Sequence, residues 1–364
     1  MTTSRHRDDN VPSLRGALFS DEAISSKKIM SNRFLRALAL EKNDRVPFVP
    51  AVYEHKGWFI GRTPSEIARD GSLLLESVIA EYEVLRADAI VVGVDVYNVE
   101  AEACGCRVTY FDSPDTSIPS LPPGSEVITP ESPASSLRLP DFRSAGRMGM
   151  IVEATVAARR SLGPDVEVMG ALTAPFTLAA SLMGGANMYM AMAADPEAAR
   201  AAIAFATNVA IGYGLLYAGR GVPAALFDSQ ASPELISPRS YREFVLEPTR
   251  SVVSALKAGG MKYVPLVIGG NTDRIVDAYV ATGANYILCD AGSSTAAFLP
   301  ACRGGMCAFR KNIGSPFLVS ANQGEIRARA AEEIRCAGGY EGFILGTGIV
   351  PYGISTERIL AARP

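Results

Sequence analysis

Along this chain the spacing of apolar residues switches repeatedly between two regimes. Compact runs rich in Val, Ile, Leu and Phe have the composition of fully buried parallel strands. Between them lie stretches whose apolar residues recur every three or four positions, as on one face of a helix. The first helical stretch, 27–40, sets Ile29, Phe34, Leu35, Leu38 and Leu40 among polar neighbours and stops at Asn43-Asp44. Strands are predicted at 45–53, 89–94, 166–172, 224–227, 262–268, 286–289, 306–310 and 342–345. A helix is predicted from the start signal Thr63-Pro64-Ser65-Glu66 to about 85, and others over 147–162, 238–258, 273–282, 294–302, 324–337 and 356–362. Two more fall inside 176–218, divided at Asp195-Pro196. Eight strands alternating with helices predict an α/β fold, a single (β/α)8 TIM barrel.

Two segments stand outside this alternation. Residues 1–25 are polar and read as a flexible tail, which leaves 26–364 for the barrel. Residues from about 105 to 140 form an insertion. Its first part, 107–112, reads as a short strand, and 113–140 is dense in Ser and Pro, as in a hairpin or lid over one face.

Composition narrows the function classes. A chain of 364 residues with 48% apolar content has ample core for one barrel. A net charge of -3 and a pI near 5.7 argue against a nucleic-acid or anionic-membrane partner. The six cysteines (Cys104, Cys106, Cys289, Cys302, Cys307 and Cys336) are too scattered for a disulfide framework and read as reduced thiols of a cytoplasmic protein. The apolar stretches 166–194 and 201–227 are broken by Pro175, Gly184 and Gly185, and by Asn208, Gly212, Gly214 and Arg220. They read as buried helix plus strand rather than bilayer spans. The first 16 residues contain no apolar core of a secretory signal.

In a (β/α)8 barrel the catalytic groups come from the C-terminal strand ends. Here those ends carry Glu54, His55, Asp95, Asp228, Asn271, Asp290, Lys311 and Asn312. Asp95 closes the run Ala89-Ile90-Val91-Val92-Gly93-Val94, and a carboxylate where a buried strand stops is costly unless something pairs with it or uses it. It is the expected central carboxylate of the pocket, against the alternative of a cap on the next turn. Glu54, His55 and Asp228 are the other candidates for acid–base work, and Tyr97, Ser229, Asn271, Asp290, Lys311 and Asn312 for substrate binding, with Lys311 and Asn312 placed to meet an anionic group. Cys289, beside Asp290, is of the six the thiol best placed to face the pocket, but a small buried residue is the commoner explanation for it.

These strand ends, taken in order, resemble the uroporphyrinogen decarboxylase superfamily. The features that carry the resemblance run from about 32 to 360: RVPFVP, ADAIVVGVD, EAEACG, GALTAPFTLAASLMGG, FDSQAS, SPRSYREFVLEP and GFILGTG. The resemblance implies a single distorted (β/α)8 barrel and two possible activities. One branch decarboxylates uroporphyrinogen; the other contains methyltransferases that work with a corrinoid protein, and EAEACG and GALTAPFTLAASLMGG are more similar to that second branch. The decarboxylase branch has an arginine-rich motif after the first strand, where this chain reads YEHKGWFIG. Losing those arginines removes the bidentate grip on a polycarboxylate. Asp95 and Ser229 match family positions.

The methyltransferase branch implies zinc bound by a His and a Cys after the fifth strand and a Cys after the eighth. Val267, Gly269 and Ile349 stand at those places, and none offers a donor atom. A site rebuilt from Cys104, Cys106 and His55 is the minor alternative. The resemblance therefore implies a zinc-free methyltransferase that moves a methyl group between a small substrate (methoxy, methylamine, halomethane or folate) and a corrinoid (cobalamin) on a partner protein. The alternatives are a decarboxylase or other lyase on a small carboxylic acid, or a non-catalytic binding relative. Expected partners are the small molecule, the corrinoid protein and, in a homodimer, a second copy of the chain.

Overall fold

The computed structural model describes residues 32–364. The expected tail and the start of the first helix lie outside them. The strands are β1 (Phe48–Ala51), β2 (Ala89–Val91), β3 (Glu167–Thr173), β4 (Ala224–Phe227), β5 (Pro265–Val267), β6 (Tyr286–Cys289), β7 (Ala308–Ile313) and β8 (Phe343–Ile349). Their order, β1-β8-β7-β6-β5-β4-β3-β2, is parallel throughout, with helices on the outside. This is the expected TIM-type barrel.

Between β1 and β2 the ladder gives way to one residue. The Asp88 N–H donates to the Phe48 carbonyl (2.9 Å), and the Asp88 carboxylate accepts from the Phe48 N–H (2.7 Å) and from Arg45 (2.8 and 3.1 Å). A buried carboxylate thus joins the two edges of the sheet.

Strand parity sorts the core into two layers. Outward residues such as Phe309, Ile287, Leu226 and Val168 pack under the helices. Inward residues, among them Val49, Tyr53, Phe227, Tyr286, Leu288, Ala308 and Ile344, fill the barrel. The helix Arg33–Leu38 plugs its N-terminal end: Phe34 meets Tyr263 and Tyr286 edge-on, with ring centroids 6.0 and 5.8 Å apart.

Several boundaries differ from the sequence reading. Both β7 and β8 run farther than predicted, to Ile313 and Ile349. Glu54 and His55 lie on a 3₁₀ turn, Glu54–Ile60, directly after β1. The segment read as a strand at 107–112 makes only an isolated bridge, Thr109 to Ser120. The following Ser- and Pro-rich stretch is tied to the segments after β2 and β3, where Asn98 donates to the Pro119 carbonyl and the Val127 and Ile128 amides donate to the Leu182 carbonyl. The long apolar helix Pro196–Gly219, which has the length and composition to cross a membrane, packs Ala199, Ala202, Val209 and Tyr213 into the barrel's outer core.

Candidate active site at the barrel mouth

A cavity of about 410 Å3 sits at the C-terminal mouth. Its wall takes Tyr53 after β1, Tyr97 after β2, Phe227 and Ser229 at β4, Val267 and Gly269 at β5, and Leu288 and Asp290 at β6. Arg310 and Asn312 of β7, and Gly348 and Ile349 of β8, also face the cavity. On β4 to β7 the residues named from each strand are two positions apart, which is strand parity carried past the strand ends, whereas on β8 the adjacent Gly348 and Ile349 both reach the cavity. A hollow of about 440 Å3 at the opposite end is lined by Leu35, Tyr263 and the ion-paired Arg159 and Glu167. The N-terminal end of such barrels serves stability rather than chemistry, so the mouth is the candidate site.

Asp290 is the carboxylate of this cavity. One oxygen accepts from Asn312 Nδ2 and the other from the Gly270 N–H, both at 2.9 Å. Gly270 has φ +78°, and a Cβ there would stand 2.8 Å from Ser232 Oγ, so a glycine is needed to turn this amide inward. The Tyr53 and Tyr97 rings both meet Phe227 edge-on, at 5.9 and 6.1 Å. Burial pushes the Tyr97 phenol up to about 12, and burial raises Tyr53 further still. Tyr97, Ser229, Asp290 and Asn312 thus line one cavity.

The other candidates are placed elsewhere. Asp95 is nearly buried, and both its oxygens accept from Arg147, at 2.8 and 2.7 Å. Arg147 also donates to Glu102 at 2.6 Å, and Asp95 is not part of the cavity wall. This corrects the expectation that Asp95 is the pocket's central carboxylate. Asp228 is fully buried; one oxygen accepts from the Thr177 N–H (2.9 Å) and hydroxyl (2.7 Å), at the start of the helix Pro175–Met183. The other oxygen has no partner among the described residues, and burial pushes the carboxyl up to about 7.

His55 is buried against the Phe59 ring. Its Nδ1 donates to the Pro351 carbonyl at 3.0 Å, and burial pushes the ring down to about 4. Glu54 is half-buried with one oxygen unpartnered, and burial raises its carboxyl; neither side chain reaches the wall. The Asn271 side chain accepts from the Asp273 N–H (3.1 Å) in the turn outside the mouth.

Parity also decides where Lys311 and Cys289 stand. Lys311 lies within β7 rather than past its end, and its Nζ donates to the carbonyls of Asp290 (3.0 Å), Ala291 (3.3 Å) and Ser293 (2.5 Å), away from the cavity. Cys289 is fully buried in the outer layer, as the commoner explanation for it has it, and is not on the pocket wall. The residue that sequence reasoning missed is Arg310, which points inward between Ala308 and Asn312 and is 4% exposed. The signal was present: extending the predicted strand by three residues puts 308, 310 and 312 on one face. Lys56, the one cation of the YEHKGWFIG stretch, is fully buried and paired with Glu81 at 3.1 Å.

Val267, Gly269 and Ile349, which the resemblance sets at the zinc-ligand positions, all line this cavity. Their side chains have no donor atoms, and among the described residues no three His, Cys, Asp or Glu side chains cluster as a metal site would need. The wall as built does not fit zinc. Burial pushes Cys104 and Cys106 up to about 12 and about 11, the reverse of what makes a thiolate ligand.

Comparisons with known proteins agree with this architecture. A methylated-thiol–coenzyme M methyltransferase of Methanosarcina mazei is 31% identical over 61% of this chain; the match spans 60% of that relative's length. The methylcobamide:CoM methyltransferase MtaA of Methanosarcina barkeri is 25% identical over 84% of the chain and 87% of the relative. A uroporphyrinogen decarboxylase of Idiomarina loihiensis is 24% identical over 90% and 93%. The solved structure of a methyltransferase from Methanosarcina mazei superposes with a TM-score of 0.79 at 23% identity, over 91% of this chain and 96% of that one. The family model for uroporphyrinogen decarboxylase (URO-D) matches residues 30–361, and the chain belongs to that family.

Proposed function

We propose that this protein is a zinc-free methyltransferase that moves a methyl group between a small substrate and a corrinoid carried by a partner protein. The observation that supports this most directly is the composition of the cavity. The three positions tied to zinc in the methyltransferase branch converge on it without a donor, and a fixed carboxylate and two phenols stand there instead. Zinc in that branch activates a thiol, so its absence favours a substrate that needs no thiolate: a methoxy compound, a methylamine, a halomethane or a folate. A cavity of about 410 Å3 lies near the small end of ligand sites, and it holds one guanidinium rather than the several that a polycarboxylate macrocycle would need.

A reduced corrinoid would supply the nucleophile that takes the methyl group. The cavity opens beside Ile349, which is 43% exposed, so a carrier protein can reach it from outside. The chain's own part is to hold the donor and to protonate the heteroatom that the methyl leaves. Tyr97 fits that role because its hydroxyl keeps its proton at neutral pH and lies in the wall beside Ser229. Asp290 orients the same end of the substrate.

The test is spectroscopic. Cob(I)alamin mixed with the protein and a panel of methoxy and methylamine donors should lose its absorption and gain that of methylcob(III)alamin. Dialysis against EDTA should leave the rate unchanged, and Tyr97→Phe should lower kcat by roughly two orders of magnitude or more. The inward Arg310 favours a second reading, decarboxylation of a small acid. Release of carbon dioxide without any corrinoid would replace the first reading by that one. A stoichiometric zinc lost on changing Cys104 or Cys106 would end the zinc-free claim.

A further inference from the structure

The most unusual group in the barrel is Arg310. It is 4% exposed, lies deep in the wall of the mouth cavity, and forms no ion pair with any described carboxylate. Its one protein hydrogen bond is a long one, Nη1 to the Val49 carbonyl at 3.3 Å. Its Nε is buried without a partner, and its Nη2 donates to nothing among the described residues. Below it stands the Tyr286 ring, 6.0 Å from Cζ, as an apolar floor. Other buried cations among the described residues are satisfied: Lys56 has Glu81, Arg147 has Asp95 and Glu102, and Lys311 donates to three carbonyls. A buried guanidinium without a counter-charge is costly to keep in a fold.

The surroundings hold this side chain in place. A Cβ on Gly346 would lie 2.7 Å from Arg310 Cδ and 2.3 Å from the Val49 carbonyl oxygen, so β8 keeps a glycine where the arginine stem passes. Asp290, the nearest candidate counter-ion on the wall, has its oxygens engaged by Asn312 and Gly270 instead. Nε and Nη2 form the side-on fork of a guanidinium, the arrangement that meets the two oxygens of a carboxylate in parallel. Because Asp290 already places one negative charge in the cavity, a monoanion suits the site better than a dianionic phosphate.

We infer that Arg310 is the binding group for a carboxylate on the substrate, so the small molecule taken into this cavity is a monocarboxylic acid. This deepens the reading above and rests on one part of it, that the mouth cavity is the substrate site. It does not depend on whether a methyl group or carbon dioxide leaves.

The experiment is a binding measurement on the full chain, with no corrinoid present, so its outcome is separate from that of the methyl-transfer assay. Calorimetry would compare two matched pairs of probes, methoxyacetate with methoxyacetamide and 3-methoxybenzoate with 3-methoxybenzamide, and inorganic phosphate alongside them. At least one acid should bind about tenfold or more tighter than its amide, the gain of a charge-assisted over a neutral pair. Arg310→Met should erase that preference, and without ligand its thermal midpoint should equal or exceed that of the wild type, because an unpaired buried charge is removed. Arg310→Lys, which keeps the charge but not the fork, should recover only part of the preference. Should Arg310→Met fail to fold, the wild-type comparison and Arg310→Lys decide. Equal response to acid and amide in both pairs, including no response at all, overturns the inference. So does a preference that survives Arg310→Met, or phosphate binding that exceeds both acids.

Discussion

Asp95 and Asp228 are both carboxylates that follow a buried strand, and the difference between them is one partner. Asp95 meets a guanidinium and becomes half of a buried ion pair; Asp228 meets an amide and a hydroxyl and keeps one oxygen unsatisfied. Asp95→Asn breaks the bidentate pair and leaves Arg147 with Glu102 alone, which should cost about 3 kcal/mol in urea unfolding, the low end for breaking a buried pair. A variant that is fully stable but inactive would return Asp95 to the chemistry. Asp228 should report itself through pH. An unfolded Asp titrates near 3.9, roughly three units below the folded value of about 7, so between these limits the folded chain binds the extra proton. Its contribution is therefore whole below about 4 and is lost as pH rises through about 7. Asp228→Asn keeps an acceptor for Thr177, and its stability relative to wild type should improve steadily across that window in parallel urea titrations.

At the scale of elements, the lengths of β7 and β8 decide what faces the cavity. Ending β7 at Arg310 makes Lys311 a tip residue. Running it to Ile313 makes Lys311 an outward residue bound to three carbonyls, and turns Arg310 and Asn312 inward. The polar Arg-Lys-Asn triplet looks like the end of a strand because burial normally excludes such residues; here neighbouring loops take all three donors of Lys311 and the Asn312 Nδ2, while Asn312 Oδ1 keeps no partner among the described residues. In β8 the glycines are contacts in their own right. Gly346→Ala would bring a methyl group to 2.3 Å from the Val49 carbonyl, a backbone atom that cannot step aside. Overpacking of this kind costs about 1–3 kcal/mol, and urea unfolding should read that loss. A Gly346→Ala protein of wild-type stability would mean that β1 and β8 can separate locally.

At the scale of the whole molecule, the barrel explains why groups far apart in sequence share one cavity. Tyr53, Tyr97, Ser229, Asp290 and Asn312 follow or end five different strands, and closure of the sheet through Asp88 brings the first two beside the rest. The chain's alternating pattern was enough to determine eight strands, their parallel arrangement and the end of the barrel where polar groups gather, because burial and strand–helix periodicity are local properties of the sequence. The lack of donors at Val267, Gly269 and Ile349 was legible for the same reason: a side chain without a donor atom lacks it in any fold. What only the tertiary structure decided was which polar side chains meet one another. Asp95 is tied to an arginine 52 positions away, and Asp290 to an asparagine 22 positions away. Arg310 is left without a counter-charge in the cavity wall. Pairing energy depends on distances across the barrel, and those distances come into being only when all eight strands are in place.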